Sequence, residues 1–315
     1  MGLTPIYKRG MKEESRKILE NKDIDNPIPI EEIAQSVGVG SEVVKRIIED
    51  LITEGYSFSV EGDKVMRSKA IGVTDNRLDL SRVFKGRHIK FGVTSDKHIG
   101  SKHEQLDSLE AFYDLAAKEG VTEMFDAGDI TEGWGVYKGQ EFEVKMLGQD
   151  EQIDYACKVH PKRKKMTTYF ITGNHDLRQT EKGGIDPGKP ISQARPDLRY
   201  LGQMTANVLL PNGAVLEMLH PGGGIAYALS YKAQRAINNL TPDNLPSIWV
   251  WGHYHTSFYM RYRGIHYLQA PCFKSQGLWE KRLGLNPTIG GWIVEATISE
   301  NGFIEKFKPE LITYK

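Results

Sequence analysis

The sequence predicts an α/β protein whose mixed sheet is doubled into a sandwich flanked by helices, with a small helical domain at its amino terminus. Three observations predict this fold class. From residue 89 onward, short apolar runs rich in β-forming residues alternate with amphipathic helical stretches, a pattern typical of α/β folds. Two later stretches, 206–219 and 257–270, have the pattern of hairpins. The first 70 residues show helical spacing instead.

The overall composition indicates a globular protein with a full-sized core. The chain has 315 residues, of which 39% are hydrophobic and 26% charged, and it carries 41 Lys and Arg against 41 Asp and Glu. Because the charges balance, the composition as a whole does not indicate a nucleic-acid or membrane partner. The two cysteines, Cys157 and Cys272, predict no disulfide framework. Without a membrane-spanning run or the apolar core of a signal peptide, the expected location is cytoplasmic and no membrane partner is expected.

The predicted amino-terminal domain covers residues 1–70. Apolar spacing predicts three helices, over 11–20, 30–37 and 38–55. Alternation around Gly62 then predicts a hairpin over 56–68. This order resembles a winged helix-turn-helix domain, a family whose usual partner is DNA. The domain carries 11 Lys and Arg against 13 Asp and Glu, a poor match for phosphate, so docking to a protein is the rival interpretation. Residues 71–87 are predicted to be a linker.

The larger domain is predicted to span 88–315. Five apolar strands each end at a polar cluster, over 89–96, 121–129, 167–176, 214–220 and 247–255. Two amphipathic helices, over 102–120 and 141–160, separate the first three strands. Because ligands in α/β sheets gather beyond the carboxyl ends of strands, we expect these five clusters to converge.

The converging side chains have the chemistry of a metal site. The clusters contribute Asp96, His98, Asp129, Asn174, His175, Asp176, His220, His253 and His255. Each cluster alone has an ordinary structural explanation, as a Gly-Asp turn, a helix cap or a buried histidine, but five in succession favour a shared site. Carboxylate, imidazole and amide donors suit Mn²⁺, Fe²⁺ or Zn²⁺. These donors are more numerous than one tetrahedral ion uses, so we expect two divalent ions, with Mn²⁺ the favoured metal.

These motifs resemble, in order, those of the calcineurin-like metallophosphoesterase superfamily over residues 88–300. The resemblance implies a metallophosphoesterase sandwich in which Asp129 bridges two ions. It implies that one ion is held by Asp96, His98 and His255, and the other by Asn174, His220 and His253. By the same resemblance, His175 is a general acid and not a ligand. Glu132 stands where the phosphatase branch has an aspartate that orients this histidine, but Gly133 and Trp134 depart from that branch.

The stretches around Asp96 and Asp129 are similar to the branch of DNA-repair exonucleases and phage phosphoesterases. This likeness implies a nuclease whose substrate is nucleic acid, DNA in the first place. Arg178 is positioned to approach a phosphate oxygen, and Asp176 is expected either to orient His175 or to cap the following turn. The aromatic residues Trp134, Tyr137, Tyr231 and Trp279 are candidates for base stacking or for the core.

Two other functions remain open on the sequence. One is a small-molecule phosphatase or cyclic-nucleotide phosphodiesterase. The other, of a different class, is a DNA-binding or docking regulator whose phosphoesterase domain is inactive. The complete ligand set argues against the second, because an inactive site has no physical need for all seven ligands.

Overall fold

The computed structural model describes residues 9–20, 27–53, 58–67, 77–84, 86–180, 183–240 and 245–315. The chain divides into two compact units, Met1–Val73 and Thr74–Lys315.

The first unit contains three helices and a small antiparallel sheet. The helices are α1 (Arg9–Glu20), α2 (Ile30–Val37) and α3 (Ser41–Thr53), and the strands are β1 (Ile28–Pro29), β2 (Phe58–Glu61) and β3 (Lys64–Arg67). The strands lie in the order β1-β3-β2. Gly38 adopts the left-handed conformation that ends α2. Ile33, Val44 and Ile47 are fully buried in the apolar core. The predicted helices and hairpin are present, and the resemblance to a winged helix-turn-helix domain remains a prediction.

The second unit contains two six-stranded sheets with helices on their flanks. Its strands are β4 (Arg77–Asp79), β5 (His88–Thr94), β6 (Glu123–Asp126), β7 (Thr167–Thr172), β8 (Leu198–Gln203), β9 (Thr205–Leu209), β10 (Val215–Leu219), β11 (Ile248–Trp251), β12 (Phe258–Tyr262), β13 (Ile265–Gln269), β14 (Gly290–Ile298) and β15 (Ile304–Thr313). Its α-helices are α4 (Leu106–Lys118), α5 (Gln149–Val159), α6 (Asn174–Leu177), α7 (Gly188–Ala194), α8 (Ser230–Asn239) and α9 (Leu278–Arg282).

The two sheets of the second unit are both mixed. The first has the order β15-β14-β5-β6-β7-β8, and the second has the order β12-β13-β11-β10-β9-β4. Strands β5 to β8 run parallel, as do β10, β11 and β13. Phe91 and Phe125 of the first sheet share one apolar core with Val208, Leu216 and Val250 of the second. The mixed sandwich predicted from the sequence is confirmed, and so are the hairpins β9–β10 and β12–β13.

Two predicted boundaries differ from the structure. Residues 77–84 fell in the predicted linker, but β4 pairs with β9 and Leu80 is buried in the core, so the second unit begins at Thr74 and not at residue 88. The helix predicted over 141–160 is shorter, because α5 begins only after Gly148.

A membrane-spanning helix was not expected from the sequence. Within the described ranges, no helix is long and apolar enough to cross a membrane.

Candidate metal centre

The five polar clusters meet at one end of the sandwich. Three follow the parallel strands β5, β6 and β7 of the first sheet, and two follow the parallel strands β10 and β11 of the second sheet. Hydrogen bonds join the two sets. The His253 backbone N–H donates to Asp96 Oδ2 over 2.9 Å, and His220 Nδ1 donates to the Ala127 carbonyl over 2.7 Å. The sheet edges that carry the candidate ligands are therefore brought together.

One group of ligand atoms surrounds Asp96. His255 Nε2 lies 3.3 Å from Asp96 Oδ1, and His98 Nε2 lies 3.8 Å from the same oxygen. The Nε2 atoms of His98 and His255 are 2.9 Å apart. These three residues form a cluster with the spacing of a metal site, and they are the residues that the resemblance assigns to one ion.

A second group surrounds Asp129. His220 Nε2 lies 3.2 Å from Asp129 Oδ2 and 3.0 Å from Asn174 Oδ1. Asp129, His220 and His253 form another cluster with metal-ligand spacing. Asp129 Oδ2 is also 3.9 Å from His98 Nε2 of the first group. Asp129 thus lies between the two groups, as a bridging carboxylate must.

The proton positions of the histidines indicate that a cation is needed. The Nδ1 of His220 must carry a proton, because its partner is a carbonyl oxygen, and the Nε2 of His253 donates to the Gly223 carbonyl over 3.0 Å. His98 Nδ1 lies 2.9 Å from a carboxylate oxygen of Glu132, which favours a proton there. The remaining ring nitrogens of His98 and His220 then present lone pairs toward carboxylate and amide oxygens. Lone pairs that converge in a buried space require a positive charge among them.

The electrostatics of the buried site favour the same conclusion. Burial alone would lower the pKa of His220, but the Asp129 carboxylate outweighs it and raises that pKa to about 9. Burial and nearby positive charge lower the pKa of His98 to about 4 and that of His253 to about 3, so both rings are neutral, as metal ligands must be. A proton and a metal ion therefore compete for Nε2 of His220. The donor set fits a pair of divalent ions.

Backbone strain is concentrated at the candidate ligands. Left-handed φ angles, which side chains other than glycine rarely adopt, occur at Asp96 (49°), His98 (48°), Asp129 (53°), His253 (74°) and His255 (52°). Such strain costs about 1–3 kcal/mol per residue and is typical of functional sites. The fold holds these side chains in place against a local conformational preference.

Gly173 is required by close packing and not by its φ angle. The φ angle of Gly173 is −105°, which is open to any residue. A Cβ atom at this position would collide with the Asp129 carboxylate and lie 2.6 Å from the His220 ring. Only a glycine allows the chain to pass this close to the ligands.

His175 is held beside the candidate ligands by the loop that follows β6. Its backbone N–H donates to Asp129 Oδ1 over 2.8 Å, and its Nδ1 donates to the Glu132 carbonyl over 2.7 Å. Because Nδ1 already carries a proton, Nε2 is the atom through which His175 can exchange a proton with a substrate, and it holds a proton to donate only when the ring is doubly protonated. The histidine is thus oriented by a backbone oxygen of Glu132, while the Glu132 carboxylate, 4.0 Å from Nδ1, contacts His98.

Asp176 is buried and joins two of the strand-end loops. Its carboxylate accepts hydrogen bonds from the backbone N–H groups of Gly173, Ile130 and Thr131 and from the Thr131 hydroxyl, over 2.7–3.1 Å. Burial and the charge of Asp129 raise its pKa to about 6, although these hydrogen bonds oppose the rise. This geometry favours positioning of the loop that carries His175 over direct contact with a substrate.

Arg178 lies on the segment that follows His175. Its Nε donates to the Gly135 carbonyl over 2.8 Å, which directs the side chain along the loop after β6. The described residues that line the cavity above the ligands do not include Arg178. Its predicted contact with a phosphate oxygen stays a prediction.

Lys274 is a site residue that the sequence reasoning missed. It is 1% exposed, and its Nζ lies 2.8 Å from Glu280 and 3.5 Å from the Glu132 carboxylate that contacts His98. Lys274 follows β13, which runs parallel to β11 in the same sheet. Extending the search for polar residues to the end of every parallel strand would have found it.

A cavity of about 420 Å³ opens over the ligands. Asp129, Asn174, His175, His253 and His255 contribute to its lining, together with Lys274 and Glu280. The other lining residues include aromatic and aliphatic side chains, namely Val136, Tyr137, Ile225, Tyr227, Leu229, Trp279, Leu285 and Pro287. This volume is in the range of small-molecule sites and accommodates a group about the size of one nucleotide.

The fold and the ligand geometry define a two-sheet α/β protein with a candidate dinuclear metal centre. Comparison with known sequences identifies the class. The model of the calcineurin-like phosphoesterase family matches residues 89–257, which is more than half of the chain. The chain belongs to the calcineurin-like phosphoesterase family.

Two related proteins are DNA polymerase II small subunits from archaea. The one from Thermoplasma acidophilum is 28% identical over 232 residues, covering 61% of this chain and 47% of the relative. The one from Methanothermobacter thermautotrophicus is 22% identical over 295 residues, covering 75% of this chain and 61% of the relative. The chain thus spans about half the length of the curated relatives it matches. A solved structure described as a novel archaeal phosphodiesterase is 12% identical, with a TM-score of 0.40, and covers 71% of this chain and 100% of that one.

Proposed function

We propose that this chain is a phosphodiesterase that uses two divalent metal ions and hydrolyses nucleic acid, with DNA as the favoured substrate. The observation that carries the proposal is the convergence of seven candidate ligand side chains into two adjoining groups with Asp129 between them, and with His175 beside Asp129 in the lining of the same cavity. Mn²⁺ is the favoured metal, and Fe²⁺ and Zn²⁺ suit the same donors.

The proposed roles follow from the positions of the side chains. Asp96, His98 and His255 would hold one ion, Asn174, His220 and His253 would hold the other, and Asp129 would bridge them. When bound, the two ions would polarise the phosphodiester and activate a water molecule as the nucleophile.

The remaining steps belong to residues of this chain. As a doubly protonated imidazolium, His175 would give the proton on its Nε2 to the departing sugar oxygen and keep the proton on Nδ1, which donates to the Glu132 carbonyl. Asp176 would hold the loops after β6 and β7 together. Arg178 would approach a phosphate oxygen after a change in its side-chain conformation. Lys274 would compensate the Glu132 carboxylate, so that Glu132 can orient His98.

The relatives support DNA as the substrate. They are named as small subunits of a DNA polymerase, and we infer that this chain also acts together with a DNA polymerase as a protein partner. The amino-terminal unit is the proposed site for contact with DNA or with that partner. A cellular location where DNA is replicated, which in a prokaryote is the cytoplasm, accords with this function.

A small-molecule phosphodiesterase is the second candidate, because the cavity has the volume of a single nucleotide and not of a duplex.

The deciding experiment is an assay of the purified full chain with Mn²⁺ on single-stranded DNA, duplex DNA, RNA and a chromogenic phosphodiester. We expect hydrolysis of DNA and of the ester, both abolished by a chelator. Turnover of the ester alone would reject the nuclease and favour the small-molecule enzyme.

Inertness toward all four substrates, with both ions bound, would instead favour a docking regulator whose phosphoesterase site is inactive. The assay therefore needs a parallel measurement of metal content. For any substitution of a histidine at the site, the matched control is the His88→Asn variant. His88 is an exposed histidine at the opposite end of β5 from the candidate ligands.

A further inference from the structure

Two aromatic residues from distant parts of the chain stack at the edge of the cavity. Tyr137 lies in the loop after β6 and Trp279 lies in α9, and their ring centroids are 5.1 Å apart with an angle of 26° between the ring planes. Both line the cavity. Trp279 is 39% exposed, so one of the largest apolar side chains of the protein is open to solvent in the cavity that the candidate ligands also line.

The stacking pair, Tyr137 and Trp279, is held by a buried carboxylate. Glu143 Oε2 accepts the Tyr137 hydroxyl over 2.7 Å, and Glu143 Oε1 accepts the backbone N–H of Leu278, next to Trp279, over 2.7 Å. Lys274 lies 6.0 Å from the centroid of the Tyr137 ring. The two rings are thus positioned before any ligand binds, which reduces the entropy cost of recognition.

The stacking pair is close to the catalytic histidine. The ring centroids of Tyr137 and His175 are 6.4 Å apart. Within a nucleotide, the phosphate and the base are separated by one sugar. A phosphate that reaches His175 and the candidate ligands can therefore place its base against the stacking pair, because both aromatic residues line the same cavity as His175. The apolar lining residues Ile225, Leu285 and Pro287 suit the faces of a flat ring.

We propose that Tyr137 and Trp279 form a stacking subsite for the base of the nucleotide whose phosphate lies at the metal centre. This subsite rests on the proposed function and adds to it the recognition of one unpaired base. Stacking uses the π-face that every base has, so the subsite accepts all four bases. A base that stacks on protein has left its duplex neighbours, so single-stranded or frayed ends are the expected substrates.

The test compares phosphodiesters with and without a base. The full chain with Mn²⁺ is assayed on the 3′- and 5′-(4-nitrophenyl phosphate) esters of thymidine, and on methyl 4-nitrophenyl phosphate. We expect at least one thymidine ester to exceed the methyl ester in kcat/KM by about tenfold, the scale of one base stacked on an aromatic ring. The Trp279→Ala variant is expected to lose this preference, and Trp279→Phe is expected to keep most of it.

Phe142→Ala is the matched control, because Phe142 is an exposed aromatic residue that does not line the cavity. It should keep the preference for the thymidine ester. Equal losses on the thymidine and methyl esters in Trp279→Ala would mean that Trp279 only supports the fold, and an unchanged preference would mean that the base does not reach it. Either result overturns the proposal.

Failure of the proposed function gives a different result, namely no hydrolysis of any ester. In that case, the subsite is tested by calorimetric measurement of the affinities for thymidine 5′-monophosphate and for inorganic phosphate. A stacking subsite requires Trp279→Ala to weaken binding of the nucleotide by about tenfold while binding of inorganic phosphate stays the same. Equal affinities of the wild type and Trp279→Ala for the nucleotide would overturn the subsite.

Discussion

The two units of the chain bury different kinds of side chain. In the described part of the first unit, the buried residues are apolar apart from Ser15, whose hydroxyl donates to the Met11 carbonyl over 2.9 Å. At the strand ends of the second unit, Asp96, His98, Asp129 and His220 are all at most 1% exposed. Burial of ionisable groups is costly unless charge and hydrogen bonds compensate it. The second pattern therefore indicates a functional site, and the first indicates packing alone.

The largest effect is expected from Asp129→Asn. The change keeps the shape of the side chain but removes the charge between the two groups of candidate ligands, so the two proposed ions would lose the carboxylate that they share. Hydrolysis of the ester should fall by about 10⁴-fold or more. Asp114→Asn is the matched control, since Asp114 is an exposed partner of Arg163. Wild-type turnover by Asp129→Asn would contradict the interpretation that the buried charged groups of the second unit form a functional site.

The next effect is expected from His175→Asn. The variant should bind metal as the wild type does, because no predicted ligand is changed. Hydrolysis of DNA, whose leaving sugar oxygen needs a proton, should fall by about 10²–10⁴-fold through loss of the proposed general acid. Metal content and kcat are measured on the same sample. Unchanged hydrolysis would reject His175 as the acid, and loss of metal would make it a ligand.

Glu132→Gln separates a ligand from the residue that orients it. The change removes the carboxylate 2.9 Å from His98 Nδ1 but leaves the backbone carbonyl that accepts the proton of His175. Metal affinity or activity should fall by about 10–100-fold, the usual cost of losing such support. Calorimetric titration of Mn²⁺ measures the affinity. If the variant binds Mn²⁺ with the affinity of the wild type, the Glu132 carboxylate does not support the metal centre. The role of Glu132 is then limited to its backbone carbonyl, which accepts the proton of His175.

The smallest effect on chemistry is expected from Ile47→Ala in the first unit. Ile47 is fully buried in the apolar core, so the variant should lose about 2–5 kcal/mol of unfolding free energy in that unit. Denaturant unfolding measures the loss, with the exposed Ile185→Ala as control. Hydrolysis of the small ester should stay within a factor of two of the wild type, because the second unit has its own core. A large loss of turnover would show that the first unit supports the metal centre.

The sequence predicts that these side chains come together because they follow a general rule of sheet architecture. Each of Asp96, Asp129, Asn174, His220 and His253 comes within three residues after a parallel strand, and parallel strands in a sandwich bring such positions together. The mixed sandwich is predictable for a related reason, since alternation and turn residues are local signals.

Other features depend on contacts between distant segments and are not predictable in this way. Asp176 binds the loop after β6, and Trp279 stacks on a tyrosine 142 residues earlier in the chain. The need for Gly173 arises from the positions of Asp129 and His220, not from local turn geometry. The start of the second unit before residue 88 depends on the pairing of β4 with β9. These relationships emerge only from the folded chain.

The most direct test of the two-metal centre is a calorimetric titration of Mn²⁺ into the metal-free full chain, with Asp129→Asn measured alongside. The geometry predicts two ions per chain for the wild type, and fewer or weaker ions for the variant, because Asp129 contacts both ligand groups. No saturable binding by the wild type, or identical titrations of the wild type and the variant, would contradict it.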